Sequence, residues 1–284
     1  MRALEEAGAL GVLPTPIDQI MEVARVQEVH EDVLNADFLS KLRAEVGKTG
    51  AALKRALGKV LGLFDARASL VFVDRSLLEV KQRFVRLHEA AHGFLPWQRP
   101  MYSVVEDCKE ALEPDVAEDF DREANVFASE VMFQGDSFIE EANSSEFSVN
   151  TPLRLKDKYG ASIYASIRQY VSKNHRICAV VVLDPPELVR GDGFVAHLRR
   201  AVQSQRFNEM FGVGNWPEQF TPDDQIGALV PLWPRRASRP RQIRLTDLNG
   251  DQHEFVAEAF TQKYQVFVLV HHVNTLSATT IVLP

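Results

Sequence analysis

Cysteine is scarce in this chain. Cys108 and Cys178 are the two in 284 residues, too few for a disulfide framework or a CxxC metal knot and in keeping with a reducing cytoplasm. Long apolar runs are also missing. No stretch approaches the ~18 consecutive apolar residues that span a bilayer, and the N-terminus, MRALEEAGALGVLPTPIDQ, carries acidic residues early and lacks an apolar h-region or a small-residue cleavage site. The chain is expected to be soluble and cytoplasmic. Positive charge is not in excess either: a formal net charge of −7 argues against a protein that coats nucleic acid. Internal repeats and low-complexity tracts are absent from the sequence. What remains is an ordinary globular composition, 45% hydrophobic and 25% charged, long enough for one large or two modest domains.

The hydrophobic pattern divides the chain. PIDQIMEVAR, opened by Pro16, repeats Ile17, Ile20, Met21 and Ala24 at helical spacing and predicts a short amphipathic helix. The pattern stays helical from Leu39 to Leu61, and SLVFVD at 69–74 then reads as a strand. Helices are predicted around the string HEAAH, from about Val116 to Phe133, and over 157–171, with a polar loop at 143–152. Beyond residue 176 the character changes. ICAVVVLDPP, an Asn249-Gly250 turn between alternating segments, YQVFVLVHHV and TTIVLP all signal strands. The expected class is α+β: a helix-rich domain over 1–176 and a smaller α/β domain over 177–284.

The string RLHEAAHGF, residues 86–94, carries the chemistry. On a helix, His88 and His92 lie one turn apart on one face, so both imidazoles can reach one metal ion, with Glu89 offset by about 100°. Both histidines fall on the apolar stripe of Phe84, Leu87, Ala91 and Leu95. Two buried histidines would each need a polar partner, and one divalent ion satisfies both. A catalytic zinc takes three protein ligands and keeps a fourth position open, so another ligand is expected downstream. The acidic cluster AEDFDREAN, 117–125, offers Glu118, Asp119, Asp121 and Glu123. Phe120, Ala124, Phe127, Ala128 and Val131 define the apolar face of that helix. Asp121 lies about 60° from its centre, Glu123 about 100° on the other side, and Glu118 and Asp119 farther round. Asp121 is the best placed, with Glu123 the alternative. Ala124 and Ala128 follow it at i+3 and i+7 and permit a close helix approach.

FVRLHEAAH followed by DREANVFASEVMF resembles the ImmA/IrrE family of zincin-like metallopeptidases, in which a HExxH helix is followed by a helix of the form E-x-x-(A/C)-N-x-x-A. The likeness covers roughly residues 14–175. Carried over by position, it implies that His88 and His92 are metal ligands and Glu89 the general base. Asp121 stands where the family has its glutamate ligand. The implied cofactor is Zn2+, although an N/O site also suits Mn2+ or another divalent ion. The implied activity is metal-dependent endopeptidase cleavage of a protein partner, a helix-turn-helix transcriptional repressor, with release of stress-response or mobile-element genes. Some relatives carry a sensor-like second domain. The contrary reading is a zincin-fold protein that binds a regulator without cutting it, favoured by the aspartate at the third-ligand position and by the want of an identifiable oxyanion donor. Tyr159, Tyr164 and His175 are candidates for that role, but each is isolated and carries no spacing information, and each reads as structural.

Two further features complete the reading. RRASRPRQIR, 235–244, places Arg235, Arg236, Arg239, Arg241 and Arg244 within ten residues, a density suited to phosphates or to an acidic protein patch. The acidic balance of the chain favours a solvated loop entering an edge strand instead. His271 and His272 are adjacent in a predicted strand, point to opposite faces and are read as one core and one surface residue.

Overall fold

A computed structural model describes residues 1–29, 62–102, 114–189, 193–233 and 236–273. The helix expected over 39–61, Cys108, Arg235 and the strand TTIVLP lie outside them. The fold is α+β, as the pattern predicts. Its contacts form two compact units, Met1–Phe138 with Lys156–Ser162, and Ile139–Leu155 with Ile163–Pro284. No helix among the described residues is long and apolar enough to cross a membrane.

The first unit holds helices α1 (Arg2–Glu6) and α2 (Ile17–Val23), strands β1 (Gln27–Glu28), β2 (Gly62–Asp65) and β3 (Leu70–Val73), and helices α3 (Glu79–Phe94) and α4 (Pro114–Phe133). The i, i+3, i+4 spacing of α2 buries Ile17, Ile20 and Met21, with Pro16 at its N-cap. Strand β3 runs between β1, which is parallel to it, and β2, which is antiparallel. Val71 and Val73 alternate inward from it. Helix α3 packs on this sheet and against α4. The helix pair is close because small residues meet: Ala90, Ala91, Ala124 and Ala128 are all fully buried. Gly93 is needed for the same kind of approach on the other side, since a Cβ there would stand 2.5 Å from Val26 Cγ1. Arg86 Nε meets Glu28 Oε2 at 2.7 Å and Arg75 meets Glu28 Oε1 at 2.6 Å, with the Glu28 side chain 6% exposed. Such a sheltered network is weakly screened by salt.

The second unit is built on an antiparallel sheet. Its strands are β4 (Cys178–Leu183), β5 (Glu187–Val189), β6 (Gly193–Gln203), β7 (Gln219–Phe220), β8 (Arg241–Thr246), β9 (Gln252–Thr261) and β10 (Val266–His272). Their order is β5-β6-β4-β10-β9-β8, with β7 on β6. The β8–β9 hairpin turns through Gly250 at φ 91°, as the Asn-Gly signal predicts. Helices α5 (Ser137–Asn143), α6 (Asn150–Lys158) and α7 (Ile163–Ser172) precede the sheet, and α8 (Gln205–Phe211) follows β6. The single helix expected over 157–171 is two, because Gly160 takes φ 62°, a left-handed backbone that breaks the ladder. Residue 176 does mark the passage from helix to strand, yet the compact unit begins earlier, at Ile139. Helix α7 packs on β4 and β6, and the Val149 N–H donates to Glu258 Oε1 at 2.6 Å.

Strand β10 lies between β4 and β9 and is buried throughout. That corrects the expectation of one surface histidine. His271 and His272 do point to opposite faces, but His271 packs edge-on against Phe147 at 4.8 Å and His272 against Phe255 at 5.2 Å. They are 4% and 7% exposed. A central strand covered on both faces has no solvent side. The arginine-rich stretch, by contrast, does enter an edge strand, β8. The side chain of Gln225 accepts from the Arg244 N–H at 2.8 Å and donates to the Arg244 carbonyl at 3.2 Å, occupying part of that edge.

Candidate metal centre

The helix spacing brings the two motif histidines together. His88 Nε2 and His92 Nε2 stand 3.3 Å apart at the face of α3 that meets α4. Asp121 arrives from α4, with its Oδ1 at 3.7 Å from His88 Nε2. One ligand atom from each of the three residues lies within 4.8 Å of the others. Zinc–nitrogen bonds of about 2.0–2.1 Å at a tetrahedral angle put two ligand nitrogens about 3.3 Å apart. The histidine pair already has that separation, and the donor set of two imidazoles and a carboxylate suits zinc or a related divalent ion. Glu118 and Asp119 instead pair with Arg122, facing solvent.

Glu123, the alternative ligand, is engaged elsewhere. Its Oε2 accepts from Trp97 Nε1 at 2.6 Å and from Gln98 Nε2 at 2.7 Å. Gln98 is fully buried, and its Nε2 also donates to the Phe120 carbonyl at 3.3 Å. Both partners of that nitrogen are acceptors, which fixes the amide and turns Oε1 towards His92 Nδ1, 2.6 Å away. An oxygen can only accept, so His92 carries its proton on Nδ1 and presents the Nε2 lone pair to the ion site. Outer partners of this kind orient metal ligands and raise their basicity. Gln98 was not legible in the sequence, because a lone glutamine has no periodicity to mark it.

Charge in the site follows burial. His92 is pushed down to about 4, first by burial and then by His88, and therefore stays neutral and ready to ligate. His88 is half-buried, and its desolvation lowers its affinity for a proton, but Asp121, Glu89 and Asn125 outweigh that and raise it. Asp121 is held below the usual carboxylate range, chiefly by His88. Asn125 lies one turn after Asp121 on α4, so its nearness to His88 was available from the i, i+4 rule. Glu89 is 7% exposed, and burial pushes its carboxyl up to about 7, with His88 opposing and Asp121 adding to the rise. A carboxyl poised near neutrality can take and return a proton.

Tyr102 lies beside the site and has no place in the sequence pattern that marks it. Its ring meets the His92 ring at 5.0 Å, and its hydroxyl is held protonated by burial and by the Asp121 and Glu89 carboxylates. Tyr159, Tyr164 and His175 lie elsewhere. Tyr159 is wedged between Phe133 and Phe138 at 1% exposure, Tyr164 receives Arg200 at 2.8 Å, and His175 borders a cleft in the second unit.

Residues 55–166 match the family model of the IrrE N-terminal-like domain, peptidase family M78. Among solved structures, a Mycobacterium tuberculosis transcriptional regulator superposes with a TM-score of 0.54 at 13% identity, covering 96% of this chain and 74% of that one. At such identity the likeness is one of fold. No curated protein is similar in sequence.

Proposed function

With residues 55–166 belonging to the ImmA/IrrE family of zincin-like metallopeptidases, we propose that the protein is a cytoplasmic, metal-dependent endopeptidase that cuts a protein partner. The observation that carries this reading is the 3.3 Å spacing of the His88 and His92 Nε2 atoms with Asp121 beside them. His88, His92 and Asp121 would hold Zn2+ or a similar divalent ion. When bound, such an ion supplies Lewis acidity towards a carbonyl oxygen and makes a water acidic enough to deprotonate near neutral pH. Glu89 accepts the proton of the attacking water and delivers it to the leaving amine. His92 stays fixed by Gln98. Tyr102 donates its hydroxyl hydrogen to the oxyanion that develops on the scissile carbonyl.

Family likeness supports a helix-turn-helix repressor as the partner, since relatives cleave such proteins to release the genes they silence. The test is incubation with a helix-turn-helix repressor encoded beside it, comparing parent and Glu89→Gln. Glutamine is nearly isosteric and Glu89 is not among the proposed ligands, so the variant should keep its metal and lose the cut, by about 10²–10⁴-fold. Cleavage at the parental rate would refute the mechanism. Tight binding without cleavage by either protein would establish a non-cutting interaction protein instead.

A further inference from the structure

The second unit contains a cavity of about 270 Å³, between α8 and the end of β8, that the metal chemistry does not use. Its walls are aromatic. Phe207, Phe211 and Phe220 are buried and line it, and Trp216 stacks on Phe207 with ring centroids 5.7 Å apart and planes 18° from parallel. Ile226 and Leu245 extend the apolar lining.

The segments around it are pinned. Gln203 Nε2 donates to the Gly212 carbonyl at 3.0 Å and its Oε1 accepts the Gly214 N–H at 3.1 Å, which holds the loop leading to Trp216. Asp224 Oδ2 accepts the Thr221 N–H at 2.6 Å, and both ends of the Gln225 amide bind the Arg244 backbone. Walls fixed in this way lose little freedom when a ligand fills the space between them.

One buried donor in the lining is unanswered. The Trp216 Nε1–H is buried and has no hydrogen-bond partner among the described residues. Buried N–H groups are almost always paired, so an acceptor is wanting beside that ring. Water is a poor candidate, because it needs two to four polar partners and Gln203, Asp224 and Gln225 are already engaged. An anion would meet Asp224, the one ionisable side chain in the lining. A cation has no lone pair to offer the indole N–H.

We propose that this cavity binds an uncharged heteroaromatic molecule of two fused rings that carries a hydrogen-bond acceptor. A cavity of about 150 Å³ takes benzene, so about 270 Å³ admits a second ring. The rings pack against the aromatic walls, and the acceptor takes the Trp216 N–H. This inference stands apart from the peptidase reading, and neither depends on the other.

The test is an NMR titration of the full chain with quinoline and naphthalene, probes of one size of which quinoline alone has an acceptor, followed on the indole N–H signals of the three tryptophans. Quinoline should bind with a dissociation constant below about 1 mM and move the Trp216 signal downfield, as a new hydrogen bond does. Naphthalene should occupy the same walls without that shift. Trp216→Phe keeps a ring on Phe207 and removes the donor, so quinoline should lose about three- to tenfold in affinity relative to naphthalene. Should that variant fail to fold, Trp97→Phe and Trp233→Phe, at positions 51% and 74% exposed, identify the Trp216 signal by elimination, and its downfield shift in the parent decides. No quinoline binding at about 1 mM, a Trp216 signal that quinoline leaves in place, or a relative loss under about twofold in folded Trp216→Phe would overturn the proposal.

Discussion

Replacing Gln98 with methionine should damage the metal centre without touching a ligand. Methionine matches the length of glutamine but cannot accept the His92 Nδ1–H now held at 2.6 Å, nor donate to Glu123 and the Phe120 carbonyl. Gln98 is fully buried and His92 is 4% exposed, so water does not replace the lost acceptor. An unpaired buried donor costs about 1–3 kcal/mol. The imidazole can escape that cost by rotating or by moving its proton to Nε2, and either change removes the lone pair from the ion site. Losing an outer partner of a ligating histidine typically costs 10–100-fold in metal affinity, or about 1.4–2.7 kcal/mol. Competition with a chromogenic zinc chelator measures this directly, with circular dichroism as the check on folding. Zinc affinity of Gln98→Met within twofold of the parent would refute the argument that Gln98 sets the His92 tautomer.

Three further outcomes are expected. Asp121→Ala should lose more metal affinity than the 100-fold bound for an outer partner, whereas Glu123→Ala, acting through Gln98, should lose about tenfold or less; chelator competition giving the reverse order would place the third ligand at 123. Tyr102→Phe should retain its metal and cut a substrate about 10²–10³-fold more slowly, as for loss of one oxyanion donor, and an unchanged single-turnover rate would remove Tyr102 from the mechanism. His271 is pushed down from 6.5 to about 4 by burial and then by Arg176 and His272, so its contribution is intact above pH 6.5 and is lost as the unfolded chain takes up a proton between 6.5 and about 4. Denaturant unfolding across that window should show about 3 kcal/mol of acid destabilisation that His271→Phe lacks, and identical pH slopes would contradict a neutral buried His271.

By itself the sequence determined which side chains share a face within one element. The four-residue spacing of His88 and His92 forces a common helix face, and the offset from Phe120, Ala124 and Ala128 ranks Asp121 above Glu123, which the structure places against Trp97 and Gln98. Asn249-Gly250 likewise marks the β8–β9 turn because few residues tolerate its backbone. Periodicity encodes a face, but not what meets that face. Gln98 and Tyr102 lie beside the site from outside the HEAAH string and the acidic cluster, as single side chains, and no spacing announces them. His272 alternates as expected, yet its burial depends on β10 having neighbours on both sides and cover on both faces. The helices after Ile139 have apolar faces that suit a helical core or a sheet equally well. Their grouping with the sheet was decided by tertiary contacts, because hydrophobic burial is non-directional and rewards whichever apolar surface is within reach.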